Sequence, residues 1–144
     1  MTGKPPILDR DMVADYKVVP STVFTNPNIS SVGLRRRTAK DMGIDVRVGI
    51  FPFQSLGKAK CIGEEDGFLM VLANKKNQKI IGASCIGAEA PELIAEIALA
   101  IRNNLTIEDI AKTIHCHPTL SEMVLEACEA TLGMAIHKKG RPLL

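Results

Sequence analysis

No glycine-rich phosphate loop occurs in this sequence of 144 residues: neither G-x-G-x-x-G nor G-x-x-x-x-G-K-S/T is present. A nucleotide-binding domain of either type needs such a loop to bring backbone N–H groups against phosphate, so none is expected within the chain. Gly82 and Gly87 fall in an expected strand and at its exit. Paired cysteines are also missing. Cys61, Cys85, Cys116 and Cys128 are too widely spaced for a C-x-x-C pair, which excludes dithiol chemistry by this chain alone and argues against a disulfide framework. No apolar run is long enough to span a bilayer, and no charged segment followed by a short apolar one opens the chain. The expectation is a soluble protein of a reducing cytoplasm, with no membrane partner. Aromatic residues make up only 3% of the chain and the net charge is only +2. The basic clusters Arg35-Arg36-Arg37 and Lys138, Lys139, Arg141 are short, far apart and poor in aromatic neighbours. A solvated surface accounts for them, and no nucleic acid is expected as a partner.

What is present is enough for one core, with 46% hydrophobic residues. Residues 1 to 15 mix Pro, Asp, Lys and Arg without periodicity and read as an N-terminal tail or linker, with no domain expected before it. Val18 to Thr25 is a β-rich run with Pro20 at its end or edge, after which Asn26-Pro27-Asn28 turns the chain. Thr38 to Met42, closed by Gly43, reads as a short helix. Val46, Val48 and Ile50 alternate with Arg47 and Gly49 as in a half-buried strand ended by Phe51 to Phe53. Lys58 to Ile62, Phe68 to Ala73 and Ile80 to Ile86 are three further expected strands. Short polar loops between them imply an antiparallel meander.

The second half changes period. Pro91 opens a helix in which Leu93, Ile94, Ile97, Ala98 and Ile101 recur at helical spacing, leaving Glu92, Glu96 and Asn103 as a narrow wet stripe. Thr106 and Asp109 have capping-box spacing, with Leu105 and Ile110 placed as a hydrophobic staple, so a short helix follows. Strands first and helices afterwards predict an α+β domain: an antiparallel β-sheet with helices packed on one side.

Residues 115 to 122, His-Cys-His-Pro-Thr-Leu-Ser-Glu, hold two of the three histidines. Pro118 keeps His117 out of the α region, just before a helix. Thr119 and Glu122 have the S/T-x-x-E spacing of a helix start, which brings Glu122 near His117. A histidine beside a carboxylate on a rigid turn suits general acid–base work. The plainer alternative is a turn residue and a capping residue. In the helix that follows, Glu122, Glu126 and Glu129 form one polar stripe. Leu120, Val124, Ala127, Cys128, Thr131 and Ala135 lie on one flank, and Met123, Ala130 and Met134 on the other. A surface helix buries one stripe, so two apolar flanks call for a second covering surface, supplied either by self-association or by burial within one chain.

His117-Pro118-Thr119-Leu120-Ser121-Glu122 resembles the C-terminal active-site motif of the pyridine nucleotide-disulfide oxidoreductases, most closely those of the dihydrolipoamide dehydrogenase type. The segment from Val23 to Leu34, with Phe24-Thr25-Asn26-Pro27-Asn28 at its start, is similar to the one that opens the same domain. Phe51-Pro52-Phe53, Gly82-Ala83 and Glu92-Leu93-Ile94 continue the resemblance, which covers about residues 16 to 144. It implies a dimerisation, or interface, domain at 16–144. In that family such a domain lends a His/Glu pair to the active site of the partner subunit, so His117 is implied as the acid–base and Glu122 as the group that orients it. His117 and Pro118 are implied FAD contacts in an intact enzyme, and the His117–Pro118 bond is implied to be cis. FAD and NAD are the cofactors of the full-length family, with none expected in this chain alone. The C-x-x-x-x-C pair of the family's FAD domain has no counterpart here, so the isolated chain is expected to be inactive. Leu120-Ser121 and His115 favour the lipoamide type over glutathione reductases, and the terminal Arg141-Pro142-Leu143-Leu144 lacks the paired cysteines of mercuric reductases.

Cys116 between two histidines invites a metal reading, but a structural site wants four ligands and no second pair exists, so no metal is assigned. His137 reads as solvated at a helix end, and Cys61, Cys85 and Cys128 as small buried hydrophobes. Two classes of function follow. One is a flavoenzyme subdomain whose partners are a second copy and FAD- and NAD-binding domains encoded elsewhere. The other is a free-standing homodimeric module that binds another protein without catalysis.

Overall fold

The computed structural model describes residues 16–137; the expected tail at 1–15 and the basic cluster Lys138, Lys139 and Arg141 lie outside the described residues. Five antiparallel strands form one sheet in the order β1-β2-β5-β4-β3. They are β1 (Ser21–Val23), β2 (Asn28–Gly33), β3 (Val46–Pro52), β4 (Phe68–Asn74) and β5 (Ile80–Gly87). The alternation at Val46 to Ile50 becomes β3, and β3 takes the place expected for Lys58 to Ile62 in an antiparallel meander with β4 and β5, in register from Phe51↔Leu69 to Leu69↔Cys85.

Two strand readings change. Lys58 to Ile62 is not a strand but lies within the helix α2 (Gly57–Ile62), closed by Gly63 at φ 72°. Lys-Ala-Lys-Cys imitates a two-residue period, yet only Ala59 is buried and Cys61 points outward. Ala and Lys favour a helical turn, and no neighbouring strand competes for the backbone. The fifth strand is instead β2, where Ser30-Ser31 interrupts the apolar pattern. Ser30 is fully buried, and its hydroxyl lies 2.9 Å from that of Thr22 on β1, so the polar group is paired on the buried face. The run from Val18 to Thr25 contributes only the three residues of β1, and Tyr16–Val18 form a 3₁₀ turn.

From β2 the chain crosses to the far edge of the sheet through α1 (Arg36–Asp41). It passes against β5 closely enough that a Cβ at Gly82 would lie 2.0 Å from the Leu34 carbonyl oxygen. The main helices share one face: α3 (Ala90–Arg102) lies on β2 and β5, and α5 (Glu122–Leu132) on β3 and β4. Val32, Phe51, Leu69, Val71, Ala83 and Cys85 rise from the sheet into one core with Leu93, Ile94 and Ile97 of α3 and Met123, Val124 and Ala127 of α5. The short α4 (Ile107–Ala111) packs on α5 and carries the full capping box: Thr106 N–H donates to Asp109 Oδ2 at 2.7 Å and Asp109 N–H to Thr106 Oγ1 at 3.3 Å.

The α5 reading also changes. Most of both flanks is covered within one chain, with Met123 and Val124 fully buried and Ala130 only 7% exposed, while Met134 stays 65% exposed; Glu126 of the supposed wet stripe is buried as well. The helix stops at Gly133, φ 73°, so Met134 and Ala135 lie beyond it. Sheet, α4 and the returning chain at Ile136 and His137 cover most of α5, which leaves Leu132 at its end and Met134 just beyond it as open apolar surface.

Close packing of α5 rests on a missing side chain. A Cβ at Gly49 of β3 would stand 2.0 Å from the Ala127 carbonyl oxygen and 2.7 Å from Thr131 Cγ2. Gly49→Ala is therefore expected to cost about 2 to 3 kcal/mol of unfolding free energy. Gly57→Ala, where the added carbon meets nothing within 4 Å, is expected to be neutral or to stabilise by up to about 1 kcal/mol. Denaturant unfolding of the two variants checks both expectations.

Candidate functional site

The loop between α4 and α5 ends in a turn held by one carboxylate. His117 Nδ1 lies 2.8 Å from Glu122 Oε1, and Thr119 N–H donates to Glu122 Oε2, also at 2.8 Å. The expected proximity of His117 and Glu122 is present, but the capping box is only half formed. Thr119 Oγ1 donates to the Cys116 carbonyl at 2.6 Å, and so accepts the Ser121 hydroxyl at 2.8 Å. Glu122 itself opens α5, with Ser121 rather than Thr119 before it, so the helix begins later than the spacing suggested. The His117–Pro118 bond is cis, as the resemblance implied, and so is Asn26–Pro27.

A carboxylate can only accept, so Nδ1 carries a proton and Nε2 is left as the proton acceptor. The His117 side chain is 72% exposed against 16% for Glu122. The imidazole thus stands in solvent while the carboxylate bonded to it is sheltered. Burial by itself would raise the Glu122 carboxyl, but the Thr119 N–H and the neighbouring His117 outweigh it and hold the carboxyl below its ordinary value of 4.5.

Beside the turn lies a cavity of about 430 Å³ lined by Pro118, Leu120 and Leu93, with Lys58, Glu89 and Glu92 among its polar residues. Among the described residues no three His, Cys, Asp or Glu side chains converge as a metal site: His115 turns to Glu96 and His117 to Glu122. Cys85 and Cys128 are buried, as expected, and burial pushes both thiols up to about 12. Cys61, expected inside, is exposed on α2, as is Cys116 in the turn.

Two histidines have partners that sequence reasoning missed. His137 is not free in solvent, because its Nδ1 bonds the buried Glu126 carboxylate, which also accepts the backbone N–H of Ile136 at 3.0 Å. His115 is the more enclosed, with Nδ1 at 2.9 Å from the Thr113 carbonyl and Nε2 at 3.0 Å from Glu96 Oε1. Helical spacing puts Glu96 in the wet stripe of α3, but its carboxylate is taken up by His115, and the exposed line of the helix includes Leu99, 62% exposed. Only the repeated histidine in His-Cys-His marked the region of the second pair.

A model of the family described as the pyridine nucleotide-disulphide oxidoreductase dimerisation domain matches residues 19–128. The dihydrolipoyl dehydrogenase of Halobacterium salinarum is 48% identical over 127 residues, which are 88% of this chain and 27% of that protein. That of Geobacillus stearothermophilus is 48% identical over 123 residues, 85% of this chain and 26% of that protein. The chain therefore spans about a quarter of the length of these curated relatives. Among solved structures, LpdA of Mycobacterium tuberculosis superposes with a TM-score of 0.74 at 29% identity, covering 78% of this chain and 25% of its own. The HOCl-induced flavoprotein disulfide reductase RclA of Escherichia coli gives 0.74 at 26% identity, covering 77% and 26%.

The sheltered carboxylate predicts an acid-dependent loss of stability. Because the folded Glu122 carboxyl is depressed, its contribution is complete above the ordinary value of 4.5 and is lost as pH falls through the lower folded value. Glu122→Gln is expected to destabilise the chain by about 1 to 2 kcal/mol at neutral pH. The difference from the parent should shrink on acidification below 4.5, as unfolding curves at stepped pH would register.

Proposed function

The chain belongs to the pyridine nucleotide-disulphide oxidoreductases, as a dimerisation domain of that family, and from this premise we propose that it serves a dihydrolipoamide dehydrogenase-type enzyme by supplying His117 and Glu122 to the partner subunit's active site. The observation that carries the reading is the His117–Glu122 bond at 2.8 Å, made at Nδ1 and leaving Nε2 outward. A substrate thiol placed against Nε2 gives its proton to the ring: the S–H bond breaks, an N–H bond forms, and thiolate and imidazolium are left side by side. Glu122 stabilises the imidazolium through Nδ1–H and keeps the ring from turning. Thr119 N–H fixes the other carboxylate oxygen.

The residues present do not fit FAD or NAD. Where β5 passes through Gly87 into α3, Glu89 and Glu92 stand at the helix start, so a diphosphate would meet carboxylates there rather than free N–H groups. Electron transfer therefore belongs to FAD- and NAD-binding domains outside these 144 residues. The exposure of His117 and Pro118 supports contact with a flavin held by such domains. Cytoplasm is the compartment proposed, since the four cysteines are free. No helix among the described residues is long and apolar enough to cross a membrane.

A second copy is the partner proposed. Leu99, one turn along α3 from Glu96, is 62% exposed, and Ile114, next to His115, is 96% exposed, which leaves apolar surface beside the site for an assembly to cover. Sedimentation at micromolar concentration is expected to show a dimer, and Leu99→Asp with Ile114→Glu to shift it toward monomer. The chain is expected to purify without flavin absorbance.

Joined to the flavin and nicotinamide domains of a related enzyme, the chain tests the acid–base role. His117→Gln is expected to lower dithiol oxidation by roughly 10² to 10⁴-fold while NADH oxidation by an artificial acceptor continues. Glu122→Gln should lower it less. Equal dithiol turnover by parent and His117→Gln chimaeras would leave an interaction module without catalysis.

A further inference from the structure

His115 takes no part in the proton transfer described above, yet its side chain is only 6% exposed. Both of its ring nitrogens face acceptors, Thr113 O and Glu96 Oε1. A carbonyl has no proton to give, so Nδ1 donates to it. The bond to Glu96 then holds a second proton, shared between ring and carboxylate, and a charge-assisted bond of this kind is among the stronger ones a side chain makes.

The partner is well anchored. Glu96 lies on the thirteen-residue α3, whose Leu93, Ile94 and Ile97 are buried against the sheet. His115 directly precedes Cys116, whose carbonyl accepts the Thr119 hydroxyl, and His117 follows. The incoming arm of the turn is therefore tied to α3 through His115, and the outgoing arm to α5 through Glu122.

We propose that Glu96 and His115 are positioning residues for the acid–base pair: a sheltered clamp from α3 that holds the turn so that His117 Nε2 keeps a fixed place and direction. The proposal rests on the reading of His117 as the acid–base and adds two residues to that site. Without the clamp the turn opens more often, and each opening breaks the bonds of Glu122 to the ring and to the Thr119 N–H together.

Amide hydrogen exchange on the chain itself tests this without flavin. The Thr119 N–H, bonded to Glu122 Oε2, reports whether the turn is closed. Glu96→Ala is expected to speed Thr119 exchange roughly tenfold, with the Ala127 and Cys128 amides inside α5 within about twofold of the parent. His117 ring nitrogen resonances should move toward those of an unconstrained imidazole. His115→Gln should loosen the turn in the same way, and Glu96→Gln, which keeps an acceptor, should restore most of the protection. Unchanged Thr119 exchange in both Glu96→Ala and His115→Gln overturns the proposal. So does equal acceleration at Thr119, Ala127 and Cys128, which marks a general loss of stability. Retained dithiol turnover in a His117→Gln chimaera would sink the acid–base reading by a separate measurement and would leave the exchange result standing.

Discussion

Packing α3 and α5 side by side on one face of the sheet fixes where Glu96 and Glu122 stand, and the turn at His117 is suspended between these two carboxylates. Neither acid acts alone. Glu122 uses one oxygen for the imidazole and the other for the Thr119 N–H, so the ring and the backbone beside it move together. A carboxylate that accepts from both sides of a turn resists rotation about its own side-chain bonds, which is what an orienting group needs. The rest of the domain supplies rigidity: a sheet closed over by two helices, with glycine where a side chain would hold them apart.

Local features of this arrangement were legible in the sequence, and distant ones were not. The meander from β3 to β5 and the helices α3 and α4 follow from alternation, helical period and a capping box, all of which act within one element. The His117–Glu122 pair spans five residues and is set by Pro118 and by the start of α5, so its proximity could be read directly. The Glu96–His115 bond spans nineteen residues and exists only because α3 and the loop before α5 are brought together by the sheet. For the same reason β2 was missed. Ser30 is acceptable on a buried face only because Thr22 on the neighbouring strand pairs with it, and no pattern along one strand shows that partner.

Glu126 shows where amphipathic reasoning misleads. A glutamate in register with Glu122 and Glu129 counts as a solvent-facing position, yet this one is buried and bonded to His137 and to backbone N–H groups beyond the helix end. Burying a carboxylate is costly unless donors meet it, and here the chain folds back after Gly133 to provide them. Glu129, beside it, is raised by burial first and by the Glu126 charge second, so the two acids of one stripe occupy different environments. The apolar flanks of α5 are consequently covered mainly within the chain, and Leu99 and Ile114 stand with Met134 and Ile136 among the exposed apolar side chains.

The order of the strands bears on how two copies can meet. One border of the sheet is β1, three residues long, and the other is β3, which carries the charged Arg47 and ends in Pro52, a residue with no N–H to offer. A short rim and a rim that carries a charge and ends in proline make poor templates for a further strand. Continuing the sheet from one molecule into the next would gain few hydrogen bonds, whereas interdigitating side chains on helix and loop surfaces carries no such handicap. Both borders of the sheet are thus poorly suited to open-ended stacking.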